Sequence, residues 1–97
     1  MNLISINIYR DRIQFEVFSI YNDKRDIIIQ NEIIIIPVSF SMGDKLEYIR
    51  KFMSMIINQN KVKKAYLNIK DKLEVYTIKI EGTLEEVLSS YGVEICN

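Results

Sequence analysis

Histidine and tryptophan are missing from this 97-residue sequence, cysteine and proline occur once each, and glycine three times. The absence of histidine removes Ser/His/Asp and Cys/His catalysis, histidine-ligated zinc and histidine-based pH switching. Cys96 stands alone, so no intrachain disulfide forms, which fits a reducing, cytoplasmic setting. An excess of one charge is missing as well. The 13 basic and 13 acidic residues cancel, removing the broad attraction that draws basic proteins to DNA or acidic membranes, while a local basic patch stays open. The longest unbroken apolar run, Ile33-Ile34-Ile35-Ile36 ahead of Pro37 and Val38, falls far short of a membrane span. Met1-Asn2-Leu3 leads into no basic segment followed by a long apolar stretch, which speaks against a secretory signal.

What is present is ample apolar material. At 48% hydrophobic residues, the chain can fill one core without a disulfide or metal staple, and its length predicts a single domain over 1–97. The skew toward Ile, Asn and Lys, with one Ala, matches the codon usage of an AT-rich genome.

Periodicity then divides the chain. Ile4, Ile6 and Ile8 alternate with Ser5, Asn7 and Tyr9, which predicts a strand. After the polar turn Arg10-Asp11-Arg12, Ile13, Phe15 and Val17 resume the alternation. Phe18 and Ile20 make the far end apolar on its other face, which places this second strand inside the sheet. Asn22-Asp23-Lys24-Arg25 is a turn. The third strand, Ile27 to Ile36, is apolar on both faces at each end and polar only in the middle, at Gln30, Asn31 and Glu32; Pro37 closes it. Ser41 with Asp44 marks a helix start, and Leu46, Ile49, Phe52, Met53, Ile56 and Ile57 form one helical face ending at Asn58-Gln59-Asn60. Ala65, Leu67 and Ile69 predict a fourth strand, reached by a parallel crossover.

Residues 73–81 carry two patterns. Tyr76, Ile78 and Ile80 alternate as in a strand, whereas Ile80, Leu84, Val87, Leu88 and Tyr91 form a helical stripe. The stripe favours a helix from about Thr77 to Tyr91, closed by Gly92, with Val93 to Cys96 as a short last strand. The expected fold class is α/β: a mixed five-stranded sheet that opens with an antiparallel meander of three strands and continues helix, strand, helix, strand.

This order of elements resembles the ribonuclease H-like fold in its most compact form, the arrangement of RuvC-type and YqgF-type resolvases. Ile4-Ser5-Ile6-Asn7 lies where such proteins carry a short apolar strand ending in a catalytic acid. Asn68-Ile69-Lys70-Asp71 and Lys79-Ile80-Glu81 are similar to segments of a small bacterial family with this fold. The resemblance implies two divalent cations held by carboxylates on the first strand, after the fourth strand and on the last helix, for phosphodiester cleavage. By position the first acid falls on Asn7, the second on Asn68 or Asp71 and the third on Glu81 or Glu85. Asn7 brings a neutral amide where the dications need charge, so the resemblance implies a catalytically degenerate member.

Each candidate has a plain counterpart. Asn7, Asp71 and Glu81 form a residual site, or they are a polar strand residue and two solvated acids. Lys63, Lys64, Lys70 and Lys72 with Tyr66 among them make a nucleic-acid contact, or they are solubilising ends of the fourth strand. The isoleucine-rich third strand, expected at a sheet edge with Ile28, Ile34 and Ile36 uncovered, pairs with a partner, or its apolar content is core between helix layers. The sequence implies no cofactor and no metal. The favoured reading is a non-enzymatic interaction or accessory protein, a homodimer or the binder of a protein partner through that strand. A divergent metal-dependent nuclease and a small nucleic-acid-binding module are the alternatives.

Overall fold

A computed structural model describes residues 1–71 and 74–96. The elements run β1 (Asn2–Ile8), β2 (Arg12–Tyr21), β3 (Lys24–Ile35), α1 (Met42–Asn60), β4 (Val62–Ile69), α2 (Val75–Ser90) and β5 (Glu94–Cys96). They form one five-stranded sheet in the order β3-β2-β1-β4-β5. The first three strands are an antiparallel meander, and β4 runs parallel to both β1 and β5. The expected mixed sheet is therefore present, with β2 inside it and β3 at its edge.

Strand alternation builds the core. Ile4 sits opposite Val17, Ile6 opposite Phe15 and Ile8 opposite Ile13, and all six side chains are buried. Ala65 of β4 continues this surface beside Ile4. Onto it α1 brings Ile49, Met53, Ile56 and Ile57, and α2 brings Ile80, Leu84, Val87 and Leu88. Both helices thus cover the same side of the sheet. Burying each such side chain contributes roughly 1.5–3 kcal/mol relative to exposure, so this layer dominates stability.

The helix ends follow local chemistry. Ser41 Oγ accepts the Asp44 N–H at 3.2 Å, satisfying a donor that the first turn leaves free. Lys61 ends α1 in the left-handed region, at φ 49°. Asn2 Nδ2 donates to the Asn60 carbonyl at 2.7 Å, fastening that end to β1. The ambiguous stretch is helical from Val75, two residues before the expected start. The Glu74 N–H donates to Thr77 Oγ1 at 3.0 Å, and Thr77 is itself fully buried. This cap and the buried stripe outweigh the strand-like alternation, which leaves Ile78 half exposed. Leu73 lies outside the described residues. Gly92, at φ 71°, takes the left-handed turn after α2, and the Val93 N–H reaches back to the Leu88 carbonyl at 2.9 Å.

The third strand departs from simple alternation. Phe15 pairs with Glu32 and Val17 with Ile29, so Gln30 and Asn31 both stand opposite Glu16. Asn31 takes up the extra residue with φ 43°. A second shift follows at once, since Phe18 pairs with Ile27 and Ile28 is left over. The two one-residue shifts cancel beyond Asn31, so only Ile29, between them, changes sides and comes to lie opposite Val17. Ile34 and Ile36, expected at an uncovered edge, are buried in the core; Ile27, Ile28, Ile33 and Ile35 are exposed instead. Of the three edge residues expected from the sequence, only Ile28 is exposed. No helix among the described residues is long and apolar enough to cross a membrane.

Candidate functional site

Because α1 and α2 lie on one side, the other side of the sheet has no helix over it among the described residues. Its surface reads off the strand registers in three rows. Ile27, Phe18, Leu3, Lys64 and Glu94 make the first, and Glu16, Ser5, Tyr66 and Cys96 the second. The third runs Ile33, Gln14, Asn7 and Asn68. Asn7 is therefore central on an open sheet face, with an amide on each side.

This row bears on the divalent metal that the resemblance implies. Each side-chain amide presents one neutral oxygen and two N–H donors, whereas a pair of dications needs clustered carboxylates. Asp71 is engaged elsewhere: its Oδ2 accepts the Arg10 N–H at 2.7 Å and ties the loop after β4 to the β1–β2 turn. Glu81 and Glu85 belong to α2, on the helix-covered side, while the Asn7 side chain faces the opposite way. Asn7 and Glu81 are not brought together. Among the described residues no group of three or more acidic, cysteine or histidine side chains is placed to hold a metal ion. The residues present do not fit the metal pair that the fold's nucleases use.

The basic candidates are dispersed. Lys64 and Tyr66 share the open face, but the Lys64 ammonium lies 3.6 Å from Glu94. Lys63 sits at the register shift where β4 begins, and Lys70 follows its last residue, about 23 Å along an extended chain. Lys72 lies outside the described residues.

Exposed apolar side chains concentrate instead along β3, in two groups parted by the polar bulge. Near the hairpin, Met1, Ile20, Tyr21, Ile27 and Ile28 are all between 43% and 73% exposed, with Ile20 and Ile27 diagonal neighbours on the open face. The Ile20 N–H donates to the Met1 carbonyl, which holds the chain start in this group. Beyond the bulge lie Ile33, Ile35 and Val38. The open face also carries an ordered polar unit: Arg25 pairs with Glu16 and stacks over the Phe18 ring at 4.0 Å. The polar centre of β3 was legible in the sequence, but the outward turn of Ile33 and Ile35 was not.

No family model matches the sequence, and no curated protein sequence matches it significantly. Solved structures do. RuvC of Thermus thermophilus in complex with a Holliday junction substrate is similar at a TM-score of 0.82 and 9% identity, over 98% of this chain and 63% of that one. A second RuvC structure from the same organism gives 0.83 and 10% identity, over 98% and 61%. An exopolyphosphatase from Cytophaga hutchinsonii is similar at 0.62 and 11% identity, over 98% of this chain and 33% of that chain. The chain thus spans about three-fifths of the RuvC chains it matches. At such identities the likeness concerns backbone architecture. Likeness at TM-scores above 0.8 over 98% of the chain shows that the chain has the ribonuclease H-like fold.

Proposed function

We propose that the chain is a non-enzymatic association module that joins a second copy of itself through the hairpin half of β3. The observation that carries this is the exposed apolar end of the β2–β3 hairpin: Ile20 and Ile27 as diagonal neighbours on the open face, with Ile28 at the bulge and Tyr21 at the strand end. Apolar side chains gathered in this way are costly to leave in water and mark contact surfaces. The flanking charges are of both signs, Lys24 and Arg25 beside Asp26. A two-fold partner, which presents the same patch reversed, can set these basic and acidic groups against one another. The bulges matter here. They interrupt the unpaired backbone edge of β3, so side-chain packing rather than a continuous added strand is the expected mode.

Multi-angle light scattering tests the reading. The unmodified chain is expected to run as a dimer, and the double variant Ile27→Lys, Ile28→Lys as a monomer with an unchanged circular dichroism spectrum. An unmodified chain that stays monomeric at its highest soluble concentration would overturn it.

The likeness to RuvC across 98% of the chain favours a second reading, a divergent resolvase. Under this reading, four-way DNA junctions incubated with the chain and Mn²⁺ are cleaved, and Asp71→Ala abolishes the cleavage. The amide row around Asn7 favours the first reading.

A further inference from the structure

A cleft of about 650 Å³ lies where the β1–β2 turn, the end of β3 and the first turns of both helices meet. This volume is within the range of small-molecule sites. Its apolar wall is Ile33, Ile35, Ile36 and Val38, with Tyr76 from α2. Ile35 is 71% and Val38 92% exposed, so the wall is an apolar surface open to water.

The charges around it are nearly, not fully, balanced. Asp11 lies 2.9 Å from Arg12 and Glu74 lies 3.9 Å from Arg10, so two acids answer two arginines. Arg12 is further held over the Tyr9 ring at 4.0 Å. Among the described residues that line the cleft, Lys45, from the first turn of α1, is the remaining cation. Its ammonium sits 5.2 Å from the Tyr76 ring centre, and among the described residues it makes no ion pair. An apolar wall beside a lysine that has no acid paired to it among the described residues fits an occupant with a hydrocarbon body and a single negative charge; Asp71, which accepts the Arg10 N–H, is not among the lining residues. A phosphate monoester, carrying close to two charges, would leave one unmatched.

We infer that this cleft binds an aliphatic monocarboxylate, its chain on Ile33, Ile35 and Val38 and its carboxylate on the Lys45 ammonium. The site is separate from the proposed dimer patch, since the bulge at Asn31 lies between Ile28 and Ile33.

Titration of the ¹⁵N-labelled chain with octanoate, hexanoate, 1-octanol and octylammonium tests this. Octanoate is expected to shift the amides of Arg10–Arg12, Ile33–Val38 and Lys45. Removing each methylene should weaken binding about fourfold. Lys45→Met should weaken octanoate about tenfold and leave octanol unchanged, and Ile35→Asp should abolish octanoate binding. The Ile27→Lys, Ile28→Lys variant should bind octanoate as the unmodified chain does, which separates this site from the association surface. Octanol or octylammonium binding as tightly as octanoate would overturn the inference. So would octanoate shifts confined to other residues, or none at all.

Discussion

The Asp71 carboxylate accepts the backbone N–H of Arg10 at 2.7 Å, joining residues 61 positions apart. It connects the tip of the β1–β2 hairpin to the loop that leads into α2. In the resemblance Asp71 was a candidate metal ligand; in the structure it has a structural partner. Asp71→Ala is expected to lower stability by about 1 kcal/mol, the usual worth of one such bond, and Asp71→Asn to recover most of the loss because an amide oxygen still accepts. Urea denaturation measures both. Equal losses in the two variants would show that charge, not the bond, is what matters.

Asn31 holds the bulge of β3 at φ 43°, where a side chain with a Cβ is crowded and Asn and Gly are better tolerated. Asn31→Gly is expected to be neutral within about 0.5 kcal/mol, and Asn31→Val to cost about 1–2 kcal/mol. If Val costs nothing, the strand has an alternative register, which amide exchange along β3 would reveal.

Asn7→Asp places a carboxylate between Gln14 and Asn68 on the open face. One acid among amides does not assemble a two-metal site. This variant is expected to show no Mn²⁺-dependent cleavage of four-way junctions, and the unmodified chain none either. Cleavage by Asn7→Asp alone would mean that the remaining ligands are already in place.

Leu84 is fully buried where α2 meets the sheet. Leu84→Ala is expected to cost about 2–5 kcal/mol, the sum of lost burial and the cavity left behind. Thermal or chemical denaturation reads this directly, and a loss below about 1 kcal/mol would mean that α2 is not docked as described.

Burial, and then the neighbouring Asp11 carboxylate, raise the Tyr76 phenol above its ordinary value of 10.0. The folded chain therefore keeps this proton at pH values where the unfolded chain has released it. The resulting contribution to stability is complete below the unfolded value and is lost as pH rises through the folded one. Tyr76→Phe is expected to lose less stability than the unmodified chain between about pH 9 and about pH 11, compared by thermal melts. Identical alkaline losses would show that other groups govern this range.

The sequence alone determined the order and type of the elements, because each is set by short-range periodicity. Alternation in Leu3–Tyr9 and Ile13–Val17 and the stripe Ile49, Met53, Ile56 and Ile57 permit few other assignments. Ser41 and Gly92 were readable for the same reason: a cap or a left-handed turn is local chemistry. Even the ambiguous stretch at 75–81 turned on Thr77, whose hydroxyl answers the Glu74 N–H only once the helix exists. What only the tertiary structure decided was which side of the sheet is covered and which isoleucines meet water. Each bulge shifts the pairing by one residue, so the two together restore the alternation and reverse only what lies between them, which is how Ile29 comes to lie opposite Val17. Nothing in Ile27–Ile36 locates the bulges, because the pattern is apolar on both faces at each end. Ile34 and Ile36 turned inward and Ile33 and Ile35 outward because both helices pack on the side that carries Ile13, Phe15 and Val17, which no local pattern in β3 specifies. Asp71 found Arg10, and Lys45 came to face the isoleucine wall, through contacts between distant parts of the chain that no local pattern encodes.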